Sequence, residues 1–250
     1  MSAEIAALGG LEQYQQASLQ GQSLERGGDT SKILLEWLPI SELRSLGRRL
    51  RMLEIGALST RNACSTSGLF DMVHIDLKSR EPGILQQDFM ERPLPGAEAE
   101  KFDIISLSLV LNFVPEAATR GLMLARSLSF LRGGAEKPGL PTPSLFMVLP
   151  RSCVTNSRYF SETRLQELMG ALGYELVKAQ QSHKLAYSLW QLRGAQAQAD
   201  IRFTKQEVNP GRKRNNFVVT LSHPVNQRQA CIGESRMAGQ DVSDAQAAKT

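Results

Sequence analysis

Glu54, Asp76 and Asp88 each stand at or just after the carboxyl end of an expected strand, a placement that presents three carboxylates along one edge of a sheet. Carboxylates accept hydrogen bonds from sugar hydroxyls and from an exocyclic amine, so this set suits a nucleoside. Gly56 follows the first of them, and a residue without Cβ lets the chain turn tightly and approach a ligand. Asp76 comes 20 residues after Gly56, the spacing at which an acidic residue at the next strand end reaches ribose hydroxyls. Asp88 is placed to meet an adenine amine, with Phe89 beside it to stack on the ring. Leu58 occupies the position where a dinucleotide fingerprint needs its second glycine, so a pyrophosphate would meet a bulky side chain. No phosphate-binding G-K-[ST] run is present. NAD and ATP are thereby disfavoured. S-adenosylmethionine carries no phosphate and fits, with Glu54, Gly56, Ala57, Asp76, Asp88 and Phe89 as its expected site.

Alternating strands and helices must hold these residues. Apolar runs at Met52–Ile55, Met72–Asp76, Gly83–Asp88, Phe102–Ser108 and Ser144–Leu149 read as strands. A helix is expected after Pro115, with Leu122, Ala125, Leu128 and Leu131 on its buried stripe and Gly133-Gly134 closing it. Glu136–Pro143 reads as a Pro/Gly loop, and Ser161 caps a further helix that ends at Gly173. Tyr174–Lys178, Leu185–Leu192 and Phe217–Leu221 complete the strands. Repeated crossovers imply a mostly parallel, seven-stranded α/β sheet with helices on both faces. The closing strands lack a helix between them, which implies antiparallel pairing at one edge and a Rossmann-like class I methyltransferase fold. Upstream, Asp29 is a plausible N-cap for a helix over Ser31–Leu38, and Pro39 stops it. The chain thus divides into a helical extension over 1–40, in which Leu8–Gln20 forms an amphipathic helix or a partner-binding arm, a cofactor-binding domain over 41–222, and a disordered tail over 223–250.

Composition narrows the classes. Hydrophobic residues make up 42% of the 250-residue chain, enough for a core. The longest apolar stretch, Ile104–Val114, falls far short of the roughly 20 residues that span a bilayer. Met1–Gly10 lacks the basic start of a leader peptide. Cys64, Cys153 and Cys231 are widely spaced and the three histidines form no ligand cluster, so neither a metal nor a disulfide framework is expected, and the chain suits a reducing compartment. His74 and Cys153 read as packed side chains. The net charge of +4 is concentrated in two clusters, Arg44, Arg48, Arg49 and Arg51, and Arg212-Lys213-Arg214. Clustered guanidinium groups suit phosphates, and equally suit a solvated helix face.

Longer strings carry a resemblance. Gly9-Gly10-Leu11-Glu12, Glu25-Arg26-Gly27-Gly28-Asp29-Thr30-Ser31-Lys32, Leu53-Glu54-Ile55-Gly56-Ala57-Leu58-Ser59, Leu107-Ser108-Leu109-Val110-Leu111-Asn112-Phe113-Val114-Pro115 and Cys153-Val154-Thr155-Asn156-Ser157-Arg158-Tyr159 are similar to signatures of the fungal 25S ribosomal RNA adenine-N1 methyltransferases. The likeness runs from about Gly9 to Leu221. It implies a nucleolar enzyme that methylates N1 of one adenine in large-subunit ribosomal RNA, alone or within a pre-ribosomal particle, and it makes Gly56 and Asp76 cofactor residues. A monomer is assumed. Metazoan relatives of the same family resemble S-adenosylmethionine sensors that act through protein contacts, which is the competing reading.

Chemistry distinguishes ring from exocyclic methylation. Leu111-Asn112-Phe113-Val114 lacks the paired prolines that hold an exocyclic amine after the fourth strand, which favours a ring nitrogen. Asn112 and Ser108 are expected to line the pocket and orient the base. Phe113 or Tyr159 would stack on it, and Arg151 and Arg158 would contact RNA phosphates. Alternatively, Asn112 caps the helix near Pro115 and Phe113 belongs to the core.

Overall fold

The computed structural model describes residues 28–79, 81–133, 140–193 and 202–222. The expected Leu8–Gln20 helix, residues 136–139 of the Glu136–Pro143 loop and the 223–250 tail lie outside them. Seven strands form one sheet: β1 (Leu50–Ile55), β2 (Phe70–Asp76), β3 (Ile84–Gln86), β4 (Ile104–Ser108), β5 (Ser144–Pro150), β6 (Tyr174–Gln181) and β7 (Leu185–Leu192). Their order is β3-β2-β1-β4-β5-β7-β6. The first five pair in parallel, and β7 runs antiparallel to both β5 and β6. Strand direction reverses only in the β6–β7 hairpin, so the antiparallel strand lies inside the sheet edge, between β5 and β6. This is the topology of the class I methyltransferase fold.

Among the described residues, seven helical segments flank the sheet: α1 (Ser31–Trp37), α2 (Ile40–Arg44), α3 (Ala63–Thr66), a 3-10 turn at Glu98–Glu100, α4 (Ala117–Phe130), α5 (Arg151–Thr155) and α6 (Glu162–Ala171). Alternation along the strands sorts the core into two layers. Met52, Ile104, Phe146 and Val148 face α1 to α3, together with Leu34, Leu38 and Leu43. Leu53, Ile105, Leu107, Leu145 and Met147 face α4 and α6. β4 and β5 are buried on both faces, which explains their unbroken apolar reading. Leu34 has no exposed surface, so α1 packs into the same body as the sheet.

Two expectations change. The buried stripe of α4 is Arg120, Met123, Leu124, Ser127 and Phe130, while Leu122 is exposed. Polar residues can occupy that face because they are fully bonded: Ser127 Oγ lies 2.7 Å from the Tyr174 hydroxyl, and Arg120 donates to the carbonyls of Val114 and Val218 at 2.8 and 2.6 Å. Phe217–Leu221 is apolar and buried, but it is not a strand of the sheet. It runs as an extended strap across α4, where Thr220 N–H donates to the Ala117 carbonyl at 3.0 Å. Phe203 and Leu221 bridge each other at its end. A Cβ on Gly121 would lie 2.0 Å from the Thr220 carbonyl oxygen, so the strap needs glycine there. Ser161 caps α6 as expected, its hydroxyl accepting from Arg164 N–H at 3.1 Å.

Candidate functional site

Parallel register builds the site. Ile55 pairs with Ile75 on one side and with Leu107 on the other. The next positions, Gly56, Asp76 and Ser108, therefore form one row at the carboxyl ends of three adjacent strands, each about 5 Å from its neighbour. Strand order reverses between β1 and β4, and this is where open α/β sheets bind ligands.

Gly56 has φ of 75°, a left-handed conformation that favours glycine. A Cβ there would stand 2.7 Å from Val110 Cγ2, so the bare backbone lets the chain beyond β4 close onto the turn. The N–H groups of Gly56 and Ala57 both donate to the Ile75 carbonyl, at 2.8 and 3.0 Å. The Asp76 carboxylate accepts from Lys78 N–H at 2.8 Å, which fixes the turn after β2. Asp88 does the same for Met90 N–H at 2.7 Å. Both acids are half-buried at the sheet edge.

One cofactor expectation is corrected. Phe89 is 2% exposed and its ring packs 5.1 Å from that of Phe130, so it is a core residue beneath the site. Ala57 is also buried, with its N–H bonded to the Ile75 carbonyl. Leu77, next to Asp76, is 54% exposed and leaves apolar surface beside that acid. The sequence signal was available: Leu77 continues the β2 run past its acid, beyond the last ladder pair.

Glu54 sits deeper. Asn62 Nδ2 donates to both of its carboxylate oxygens, at 3.0 and 2.8 Å, while Asn62 Oδ1 caps α3 through Ser65 N–H. His74 Nε2 lies 3.5 Å from Glu54 and 2.9 Å from the Ser65 hydroxyl. Burial outweighs the Asn62 hydrogen bonds and, with the nearby Asp29 charge, pushes the Glu54 carboxyl up to about 7. Burial also lowers His74. Geometry alone makes this an ion pair, but desolvation drives both groups toward their neutral forms, so it acts as a hydrogen-bonded cluster near neutrality. His74 is packed, as expected from the sequence.

Asp29 is not the N-cap of α1: Thr30 holds that position without a side-chain cap bond, and Asp29 stands one residue before it. Its Oδ1 accepts from Ser31 N–H at 3.0 Å and its Oδ2 from Ala63 N–H at 2.6 Å. Thr30 Oγ1 lies 2.8 Å from Ser108 Oγ. The segment before α1 therefore ties the start of α3 to the end of β4. No local pattern reveals this, because Ala63 lies 34 residues beyond Asp29.

Beyond β4 the backbone is strained: Leu109 has φ of 57° without being glycine. The following turn carries Asn112, whose Oδ1 is buried without a hydrogen-bond partner among the described residues. A buried acceptor left unsatisfied costs about 1–3 kcal/mol. Asn112 is not the cap of α4, since Glu116 holds that position. Ser108 is buried with its hydroxyl on Thr30, and Phe113 packs partly against the α1–α3 layer. The structure thus brings Glu54, Gly56, Asp76, Asp88, Ser108 and Asn112 to one edge.

Arg151, Arg158 and Tyr159 follow β5 at that same edge. Arg151 Nε donates to Gln181 Oε1 at 2.7 Å, and Arg158 Nη2 to the Gly211 carbonyl at 3.0 Å. Arg158 lies 5.8 Å and Lys205 Nζ 4.3 Å from the Tyr159 ring centroid. The Arg44–Arg51 cluster lies at the opposite end of the strands. There Arg48 clasps Asp103 through two bonds, at 2.8 and 3.0 Å, and Arg51 stacks 4.8 Å from the Phe102 ring. Those two arginines hold the fold together. Burial pushes the Cys64 and Cys153 thiols up to about 12, which makes them packing residues, not nucleophiles.

The 25S rRNA (adenine(2142)-N(1))-methyltransferase family, Bmt2, matches residues 1–219. The Saccharomyces cerevisiae 25S rRNA (adenine(2142)-N(1))-methyltransferase is 47% identical over 219 residues, covering 87% of this chain and 62% of that protein. The Schizosaccharomyces pombe 25S rRNA adenine-N(1) methyltransferase is 40% identical over 214 residues, covering 84% of this chain and 76% of that protein. The chain therefore spans about 62% of the length of its budding-yeast relative. Among solved structures, the Burkholderia thailandensis 1,6-didemethyltoxoflavin-N1-methyltransferase aligns with a TM-score of 0.45 at 17% identity, covering 72% of this chain and 90% of that one. With nearly nine-tenths of its length matched, the chain belongs to the 25S rRNA (adenine(2142)-N(1))-methyltransferase family, Bmt2.

Proposed function

We propose that this chain methylates N1 of an adenine in large-subunit ribosomal RNA, with S-adenosylmethionine as donor, and that it works in the nucleolus on ribosomal RNA or a pre-ribosomal particle. The observation that carries the reading is the Gly56–Asp76–Ser108 row, with the orphaned Asn112 acceptor on the turn beside it. The residues fit the donor. Asp76 would take the ribose hydroxyls, Leu77 the adenine face, Asp88 the adenine amine, and the Gly56 turn the amino-acid arm above Glu54. Bound there, the donor would supply a methyl group on a sulfonium, electrophilic enough to be taken by a ring nitrogen without a covalent enzyme intermediate.

The chain's own residues then have an orienting task. Adenine N1 holds an in-plane lone pair, so transfer needs alignment more than a strong base. The adjacent N6 amine donates hydrogen bonds, and Asn112 Oδ1 is a buried acceptor that lacks one among the described residues. Pairing the two would turn N1 toward the donor, relieve the unsatisfied oxygen and discriminate against bases that present a carbonyl at that position. Arg151 and Arg158 would hold phosphates, Phe113 would stack on the base, and Tyr159 would stack on the RNA beside it.

The test is transfer of radiolabelled methyl groups to ribosomal RNA from cells lacking the endogenous enzyme, with reverse-transcription stops mapping the product. Label at one adenine, blocking Watson–Crick pairing there, is expected. Binding of S-adenosylmethionine with no label in RNA would overturn the catalytic reading and favour a sensor.

A further inference from the structure

The 202–222 strap has an inner side made for anchoring and an outer side that the cofactor site does not use. Phe203 and Leu221 exchange backbone hydrogen bonds of 2.7 and 2.9 Å. Phe217 packs edge-on against Phe160 at 5.4 Å, and the Ser157 hydroxyl donates to its carbonyl at 2.5 Å. Asn215 N–H donates to the Asn156 carbonyl, Arg158 N–H to that of Asn215, and Asn209 Nδ2 to that of Ser157. Arg120, buried in α4, joins Val218 of the strap to Val114 on the segment that follows Asn112. The strap is therefore fixed to the same edge as the site.

Its outward face is strongly basic. Between residues 202 and 216 stand Arg202, Lys205, Arg212, Lys213 and Arg214 against a single acid, Glu207. Glu207 already lies 3.9 Å from Arg158. Lys205, Arg212 and Lys213 are exposed. Beside them the half-buried Tyr159 ring sits between Lys205 and Arg158. Cations along a rigid track with an aromatic platform are what sequence-tolerant single-stranded nucleic-acid surfaces use, charge for the backbone and ring for the base. A fixed track also avoids the ordering cost that a floppy basic tail would bear on binding.

We propose that the strap docks the phosphate backbone of single-stranded RNA flanking the target adenine, through Lys205, Arg212 and Lys213, with Tyr159 stacking on a neighbouring base. The proposal rests on the RNA-methyltransferase reading and adds the surface that holds the substrate. The opposite end of the sheet provides an internal comparison. Arg44, Arg48 and Arg49 line a hollow of about 280 Å³ there, far from the site.

The experiment measures fluorescence anisotropy of a labelled single-stranded RNA with the full chain across a salt series. The Lys205→Ala/Arg212→Ala/Lys213→Ala variant should bind at least about tenfold more weakly, with the slope of log affinity against log salt flatter by about 2 (roughly 0.7 per lost phosphate contact). Tyr159→Ala should weaken binding and leave the slope unchanged. The Arg44→Ala/Arg49→Ala variant should keep wild-type behaviour, and calorimetry with S-adenosylhomocysteine should be unchanged in all of them. Wild-type affinity and slope in the triple variant would overturn the strap proposal alone. Failure of the wild type to bind RNA at all would overturn it together with the catalytic reading. RNA bound through the strap with no methyl transferred would overturn only the latter.

Discussion

Glu54 is the residue whose charge state the fold perturbs most visibly at the site. Its carboxyl titrates at about 7 when folded against an ordinary 4.5, so between those values the folded chain holds a proton that the unfolded chain has released. Stability must then fall as pH rises from about 4.5 to about 7 and level off above, the reverse of a salt-bridged carboxylate. His74, lowered by burial, acts in the opposite sense and loses stability as pH drops below its ordinary value of 6.5. Glu54→Gln removes the first effect, so its melting temperature should gain on the wild type across that window and stay ahead at pH 8. Equal pH profiles would place the Glu54 charge in water. Asn112→Ala should slow single-turnover methylation at least about tenfold, as loss of an orienting hydrogen bond worth about 1.5 kcal/mol or more implies, while cofactor affinity holds. Glu54, Gly56 and Asp76 were legible because a strand-end acid and a turn glycine leave a periodic signal. Phe89 was misread because an aromatic after an acid looks the same whether it points in or out, and only the packing against Phe130 decides.

At the scale of elements, apolar patterning found every strand of the sheet and then counted one too many. Phe217–Leu221 is as apolar as a strand, yet its backbone bonds go to Ala117 and Phe203. Binary pattern reports burial, not the partner that satisfies the N–H groups. The α4 stripe was missed for a related reason: Arg120 and Ser127 look solvent-facing until their distant carbonyl and hydroxyl partners are known. Gly121 is the most direct test of the strap's docking. Alanine in an ordinary helix gains about 1 kcal/mol over glycine, but here the added methyl meets the Thr220 carbonyl. Gly121→Ala should therefore lower the urea midpoint and weaken RNA binding. A raised midpoint with unchanged RNA affinity would mean that the strap does not sit on α4.

Across the whole molecule, the two ends of the sheet have separate work. One end gathers arginines around Asp103 and holds β1 to β4. The other collects the strand-end acids, the Asn112 turn and the basic strap. Asp29 and Thr30 stitch the beginning of the described chain across that second end, so a ligand seated there should bind elements separated by dozens of residues and stabilise them jointly. A ligand at a hundredfold its Kd adds about 2.7 kcal/mol of stability, and S-adenosylhomocysteine should raise the melting temperature accordingly. The measurement that tests the central claim most directly is calorimetric titration of that ligand into the wild type and into Asp76→Ala. One site per chain is expected, with affinity at least about tenfold weaker in the variant, as the loss of charge-assisted ribose bonds of about 1.5–3 kcal/mol requires. No binding by the wild type, or equal affinity in the two proteins, would contradict the placement of the adenosyl group at Asp76.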